Sequence, residues 1–134
     1  MLRRLYIIRH GKSSWEEENL ADRDRPLASR GIRNAGEMAL RLKEAGLVPE
    51  KIYSSPATRA LSTARIMAEQ WDLPDEALEI HDSLYMAWED EIYRVIAQAP
   101  PELGSLAIFG HNPSFTYFAN DFLDMSLDNL PTAG

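Results

Sequence analysis

The sequence predicts an α/β fold in which a mainly parallel sheet is covered by helices on both faces. Short apolar runs typical of buried strands occur at residues 4–9, 51–54 and 105–109, with a further short strand at 77–81. Amphipathic segments lie between these runs, so the strands are expected to be joined through helices and to run parallel. The 134 residues suffice for a modest core, and we expect a single domain over residues 1–134.

Capping residues and prolines indicate where the first helices begin and end. One helix is predicted from Ser29, its N-cap, to about Ala45. Ser55 and Pro56 are predicted as the N-cap and the first residue of a second helix, which reaches about Trp71.

Two later helices complete the pattern. A short amphipathic helix around residues 92–99 is stopped by Pro100 and Pro101. The last helix follows the turn at residues 110–113 and has Pro113 as its first residue. Apolar side chains at helical spacing are predicted to face inward. They are Ile32, Ala35, Met38, Ala39, Leu42 and Ala45 in the first helix, Ala60, Leu61, Ala64, Met67, Ala68 and Trp71 in the second, and Phe115, Phe118, Ala119, Phe122 and Leu123 in the last.

The composition excludes several classes of protein. A formal net charge of −7 disfavours nucleic acid and anionic membrane surfaces as partners. No apolar run approaches the roughly 18 residues of a membrane span, and the short run after Arg3-Arg4 is a poor signal peptide. With no cysteine, the sequence has neither disulfides nor a thiolate nucleophile. We therefore expect a cytoplasmic protein.

Charged residues dominate the segment between the first strand and the first helix. This segment, residues 11–28, contains Glu16-Glu17-Glu18 and then Asp22-Arg23-Asp24-Arg25-Pro26. We interpret it as a solvated loop with local ion pairs over one end of the sheet, in preference to a direct catalytic role.

Three strand ends carry polar residues suited to phosphate chemistry. They are Arg9-His10-Gly11, the segment Ser54–Arg59, and Gly110-His111-Asn112-Pro113. Ligands of open parallel sheets bind outside the carboxyl ends of the strands, so these segments should converge. The side chains expected to meet are Arg9, His10, Arg59 and His111.

Arginines, imidazoles and helix N-termini together suit a tetrahedral anion. We predict that neutral His10 attacks phosphorus, because Arg9 and Arg59 lower its pKa. Arg9, Arg59 and His111 would hold the equatorial oxygens. These residues already supply positive charge, so we expect no metal and no other cofactor. Isolated His81 is interpreted as structural or exposed, and Trp15, Trp71 and Trp88 are interpreted as packing residues.

Longer motifs surround these residues along most of the chain. They are Arg9-His10-Gly11-Lys12-Ser13-Ser14-Trp15, Asp24-Arg25-Pro26-Leu27 with Gly31, Ser54-Ser55-Pro56 with Arg59, Leu84-Tyr85, Gly110-His111-Asn112-Pro113 and Leu130-Pro131-Thr132-Ala133-Gly134. Together they resemble the histidine phosphatase superfamily, also called phosphoglycerate mutase-like, and within it the small SixA-like phosphohistidine phosphatase branch.

The resemblance implies a three-layer α/β/α fold of the phosphoglycerate mutase type. It implies a phosphatase with His10 as nucleophile and with Arg9, Arg59 and His111 in the phosphate pocket, and we add Gly11 and Asn112 as substrate-binding residues. The implied substrate is phosphohistidine on a protein. A phosphatase for small phosphomonoesters or phosphoanhydrides and an inactive phosphate-binding module are the alternatives.

Two departures from the superfamily pattern stand out. Mutase-type members carry an Asn where this chain has Glu16, and a catalytic Glu near the middle of the chain. Here residues 84–87 contain no carboxylate, although Asp82 and Glu89 flank them. A missing acid disfavours alcohol leaving groups and suits a phosphoramidate. The resemblance also implies a final strand after Gly134, so we expect the domain to lack that strand and to leave a sheet edge bare.

Overall fold

The computed structural model describes residues 2–15, 19–123 and 130–134. Its sheet has four strands in the order β1-β4-β2-β3, and every neighbouring pair is parallel. The strands are β1 (Arg4–Arg9), β2 (Lys51–Ser54), β3 (Leu78–Ile80) and β4 (Ser105–Gly110). The helices are α1 (Ser29–Glu44), α2 (Thr58–Gln70), α3 (Glu89–Ala97) and α4 (Ser114–Asn120). None of the described helices is long and apolar enough to cross a membrane.

Strand β4 lies inside the sheet and divides the core into two halves. Leu106 and Ile108 belong to a cluster formed with α3 and α4, whereas Ala107 and Phe109 belong to a cluster formed with α1 and α2. Successive side chains of a strand point to opposite faces, which explains the alternation. The predicted α/β/α sandwich with a parallel sheet is therefore confirmed.

Strand β1 lies at one edge of this sheet, and its burial is incomplete. Leu5 and Ile7 are only partly buried, whereas the sequence predicts a buried strand. At the carboxyl end of β1, the Arg9 N–H donates to the Gly134 carbonyl at 3.2 Å, and the Ala133 N–H donates to the Arg9 carbonyl at 3.0 Å. The segment 130–134 therefore lies beside the residue that precedes His10.

The predicted starts of α1, α2 and α4 are wrong by one or two residues, and that of α3 is wrong by three. Ser29 is the first residue of α1, and Pro113 precedes α4 as its N-cap. Helix α2 begins at Thr58, since Ser55 accepts a hydrogen bond from the Ala57 N–H at 3.2 Å in a turn that precedes the helix. The Ser55 side chain also contacts His111 (below), which a simple N-cap role does not require.

Several apolar positions predicted to face inward are exposed. Ile32, Phe122 and Leu123 have exposed fractions of 49%, 59% and 46%, and Ala45 is exposed as well. The buried stripe of α1 runs through Gly31, Ala35 and Ala39, which places Ile32 about 100° away on the helix. Helix α4 ends at Asn120, so the helical spacing does not extend to residues 122 and 123.

The tryptophans divide into a structural residue and two surface residues. Trp71 is buried, and its indole N–H donates to the Ala39 carbonyl at 2.9 Å. Trp15 and Trp88 are 68% and 74% exposed, so the prediction that they pack in the core is wrong. The ring of His81 lies 4.2 Å from that of Tyr53, in keeping with its structural interpretation.

Candidate active site

The register of the sheet brings the three strand ends to one level. Arg9 pairs with Gly110 on the adjacent strand, and Ser54 pairs with Phe109. The ladder continues one residue further, because the His10 N–H donates to the Gly110 carbonyl at 3.1 Å. As a result the His10 and His111 rings lie side by side, with their centroids 5.3 Å apart.

His10 is buried and is held as one tautomer. Its Nδ1 lies 2.6 Å from the Gly11 carbonyl oxygen, which can only accept, so Nδ1 carries the proton and Nε2 keeps its lone pair. Burial lowers the pKa of His10 to about 4; the bond to Gly11 opposes this shift, and the Arg59, Arg9 and Arg25 charges add to it. At neutral pH the ring is therefore uncharged and nucleophilic at Nε2.

His111 is oriented by Ser55. Its Nε2 lies 2.8 Å from the Ser55 hydroxyl, which also accepts the Ala57 N–H, and we assign this hydroxyl as the donor to Nε2. This arrangement leaves the ring proton on Nδ1, a buried atom without a hydrogen-bond partner among the described residues. Burial, followed by the charge of Arg59, lowers the pKa of His111 to about 3. His111 is thus a neutral hydrogen-bond donor.

Three arginines surround the pair of histidines. Arg59 is buried in the first turn of α2, and Arg9 donates through Nη1 to the Leu130 carbonyl at 3.1 Å. In Arg9, Arg25 and Arg59 alike, Nε is buried and has no hydrogen-bond partner among the described residues. Buried donors of this kind normally find an acceptor, and three charged ones around His10 match an oxyanion.

Asp22 and Arg25 are site residues that the sequence interpretation missed. Asp22 accepts at Oδ2 from Arg59 at 3.0 Å and from the Tyr85 hydroxyl at 2.7 Å, and it pairs through Oδ1 with Arg25 at 3.1 Å. The hydrogen bond from Tyr85, followed by that from Arg59, lowers the pKa of Asp22. The expected local ion pairs are present, but the loop is not merely solvated, because it also supplies part of the site.

The sequence does contain a signal for this loop, because the apolar residue Leu27 follows the charge run directly. In the structure Leu27 is buried and anchors the loop against the protein. Arg25 also lies over the ring of Trp15, 3.5 Å from its centroid. Residues 16–18, with the departure noted at Glu16, lie outside the described residues.

Gly11 and Asn112 form hydrogen bonds that hold the loops around the site. The Gly11 N–H donates to Thr63 Oγ1 at 3.0 Å, and a Cβ at Gly11 would lie 2.9 Å from the Gly31 carbonyl oxygen. The Asn112 amide donates to the Leu130 carbonyl at 2.9 Å and accepts from the Thr116 hydroxyl at 2.8 Å. Substrate binding by Gly11 and Asn112 stays a prediction, and Thr63 is a supporting residue that the sequence did not reveal.

A cavity of about 390 Å³ is lined in part by His111 and Arg59. Among the flanking carboxyls considered from the sequence, Glu89 lines it and Asp82 does not. Burial, followed by a hydrogen bond with Asp121, raises the pKa of Glu89.

Within the described part of the chain, no group of three or more histidine, cysteine or acidic side chains could hold a metal ion. The residues that line the 390 Å³ cavity are Asp22, Arg59, Tyr85, Met86, Ala87, Trp88, Glu89, His111, Asn112, Pro113, Ser114 and Tyr117.

A parallel α/β sandwich with paired histidines and arginines at its strand ends is the architecture of a phosphoryl-binding enzyme class. The sequence profile of the histidine phosphatase superfamily (branch 1) matches residues 5–116. The chain belongs to this superfamily.

Individual relatives agree with this assignment. An uncharacterised chloroplastic protein of Arabidopsis thaliana is 34% identical over 119 residues, which cover 82% of this chain and 54% of that protein. Phosphoglycerate mutase 1 of Saccharomyces cerevisiae is 37% identical over 71 residues, which cover 52% of this chain and 29% of the mutase. The chain thus spans about half the length of the Arabidopsis relative and less of the yeast mutase.

Solved structures show the same fold. A crystal structure assigned as phosphohistidine phosphatase SixA from Agrobacterium tumefaciens has a TM-score of 0.87 and 26% identity, and the match covers 97% of this chain and 86% of that one. The structure of the protein histidine phosphatase SixA complexed with tungstate has a TM-score of 0.84 at 22% identity and covers 96% and 83%.

Proposed function

We propose that this chain is a metal-independent phosphatase in which His10 takes the phosphoryl group from the substrate. The observation that carries the proposal is the 2.6 Å contact from His10 Nδ1 to the Gly11 carbonyl, which leaves Nε2 unprotonated. Nε2 forms a bond to phosphorus as the bond to the leaving group breaks. Water then attacks the phosphohistidine, releases inorganic phosphate and restores neutral His10.

The surrounding cations suit the charge of this reaction. The buried Nε–H groups of Arg9, Arg25 and Arg59 have no partner in the part of the chain that the structure describes, and we assign them to the equatorial oxygens. His111 adds a neutral donor at Nδ1, held in place by Ser55. Because these donors are fixed before the substrate arrives, they need little reorganisation as charge develops on the phosphoryl oxygens.

For the substrate, we propose phosphohistidine on a protein. The low pKa of Asp22 keeps this carboxylate ionised, so it is not poised to protonate an alcohol leaving group. Phosphohistidine that is protonated on its other ring nitrogen needs no acid from the enzyme, because its leaving group then departs as neutral imidazole. The resemblance to the Agrobacterium SixA structure supports the same substrate. On the sequence grounds given above, we propose that the protein is cytoplasmic.

The nucleophilic role of His10 is tested by tracing a labelled phosphoryl group. A phosphohistidine protein labelled with ³²P is incubated with the wild-type chain, with His10→Ala and with His81→Ala, a histidine control that does not line the cavity. We expect wild type and His81→Ala to release inorganic phosphate and to accumulate acid-labile, base-stable label on the enzyme. His10→Ala should show neither, and undiminished turnover in this variant would refute the nucleophilic role.

The substrate class needs a separate measurement. The ratio of kcat/KM for the phosphohistidine protein to kcat/KM for phosphomonoesters and a phosphoanhydride measures specificity. A ratio far above one supports the proposed substrate, and a ratio below one supports a small-molecule phosphatase. Phosphate binding without turnover of any member of the panel would indicate an inactive binding module.

A further inference from the structure

The cavity has an outer part that the proposed phosphoryl transfer does not use. Among its lining residues, Arg59 and His111 are buried, whereas Met86, Trp88 and Tyr117 are exposed and form its outer part. The last three side chains have exposed fractions of 76%, 74% and 57%. Large apolar and aromatic side chains grouped at the mouth of a polar site are typical of a surface that a ligand covers.

The backbone holds Met86 at this mouth. Its φ is +53°, in the left-handed region that side chains other than glycine seldom adopt. The neighbours on both sides are fixed, since the Tyr85 hydroxyl donates to Asp22 at 2.7 Å and Ala87 is buried in the core. A conformation of this kind persists where the surrounding structure imposes it, and it is frequent at ligand sites.

Charge restricts what the outer part can accept. Among the described residues that line the cavity, the charged side chains are Asp22, Arg59 and Glu89. The proposed reaction uses Arg59 for the phosphoryl group, so acidic side chains remain for the rest of the substrate. The hydrogen bond from Tyr85, followed by that from Arg59, lowers the pKa of Asp22, so this lining carboxylate is negatively charged near neutral pH. A second phosphate or a carboxylate would meet repulsion from these lining carboxyl groups.

We propose that Met86, Trp88 and Tyr117 form the leaving-group subsite, which selects a planar, neutral or cationic group and rejects an anionic one. Trp88, His111 and Arg59 line the same cavity, so a ring stacked on Trp88 can belong to the group that leaves phosphorus. The inference rests on the proposed function, because it requires phosphoryl transfer to His10. It goes further by assigning the choice of leaving group to particular side chains.

The test uses phenyl phosphate, 4-carboxyphenyl phosphate and acetyl phosphate, which differ in ring and charge. In the wild type, we expect kcat/KM to be about tenfold higher for phenyl than for 4-carboxyphenyl phosphate. Trp88→Ala should lower the ratio of phenyl to acetyl phosphate by about three- to tenfold, and Trp88→Phe should restore most of it. Glu89→Lys should remove the preference against the carboxylate. Phe122→Ala removes an exposed aromatic side chain outside the cavity and should change neither ratio.

The outcomes separate the two proposals. Equal losses on phenyl and acetyl phosphate in Trp88→Ala overturn the subsite, as does a wild type that hydrolyses 4-carboxyphenyl phosphate as well as phenyl phosphate. In both cases the wild type still turns over, so the proposed function stands. A wild type that hydrolyses neither these three substrates nor the phosphohistidine protein overturns the proposed function, and the subsite falls with it. A wild type that hydrolyses only the phosphohistidine protein overturns the subsite as the site for planar leaving groups in general and leaves the proposed function standing.

Discussion

The carboxylate of Asp22 accepts a hydrogen bond from the guanidinium of Arg59 at 3.0 Å, across 37 positions of the sequence. The Asp22 backbone carbonyl accepts a second bond from Arg59 at 2.5 Å. The loop thereby places a negative charge on a guanidinium that the proposed reaction uses for the phosphoryl group. An incoming phosphate dianion must compete with Asp22 for Arg59.

This competition predicts that Asp22→Asn binds inorganic phosphate more tightly. Removing the charge while keeping the side-chain shape relieves repulsion, and a partly exposed charge at this distance is worth about 1 kcal/mol, or roughly fivefold in Kd. Isothermal titration calorimetry with inorganic phosphate measures the change. Asp24→Asn alters an exposed carboxylate of the same turn and serves as the control. Weaker binding by Asp22→Asn than by Asp24→Asn would contradict this account of the contact.

The lowered pKa of His10 predicts that kcat/KM falls only at an unusually low pH. Because the pKa is lowered to about 4 in the folded protein, Nε2 remains a free nucleophile well below the ordinary histidine pKa of 6.5. The enzyme's own contribution to kcat/KM should therefore fall roughly tenfold per pH unit only below about pH 4. The profile is measured with a substrate whose ionisation is known, and circular dichroism checks that the protein is folded. An enzyme limb near pH 6.5 would show that His10 is not held neutral.

The same shifts predict that acid weakens the fold. His10 and His111 have lower pKa values when folded than when unfolded, so the unfolded chain binds more protons between about pH 6.5 and about pH 4 for His10, or about pH 3 for His111. The free energy of unfolding should therefore decrease as the pH falls through this range. Urea denaturation at several pH values measures the slope. His111→Phe, which removes one of the two groups, should show a shallower slope.

Ser55→Ala should impair catalysis by releasing His111. The variant loses the 2.8 Å contact to His111 Nε2, and with it the preference for the proton on Nδ1. A lost hydrogen bond of about 1 kcal/mol corresponds to a fall of about five- to tenfold in kcat. Nitrogen NMR of the histidine rings reports the tautomer directly. A fall in kcat without any change of the His111 signals would point to a different role for Ser55.

The glycine at the end of β4 predicts a stability difference between two alanine variants. A Cβ at Gly110 would overlap the ring of Phe115, so Gly110→Ala should destabilise the protein by about 1–3 kcal/mol. A Cβ at Gly36, inside α1, meets no atom within 4 Å. Gly36→Ala should instead stabilise the protein by about 0.5–1 kcal/mol. Chemical denaturation of both variants compares the signs, and destabilisation by both would contradict this reading of the packing.

Prediction from sequence succeeded where the signal was local. Strand β1 was predicted and observed at residues 4–9. Its end can be predicted because the apolar run changes to the polar residues Arg9 and His10 within the same short segment. Boundaries that depend on distant contacts were less accurate. Helix α2 begins at Thr58 rather than Pro56, and the Ser55 hydroxyl lies against His111, 56 positions away.

The sequence by itself determined the parallel α/β sandwich and placed His10, Arg59 and His111 at strand ends, since periodicity and parallel pairing are encoded in short segments. Only the tertiary structure decided that Asp22 contacts Arg59 and that Trp88 lies at the mouth of the cavity. Loops have no periodicity from which side-chain direction can be predicted. Their positions follow from long-range hydrogen bonds and packing, which form only when the whole sheet is assembled.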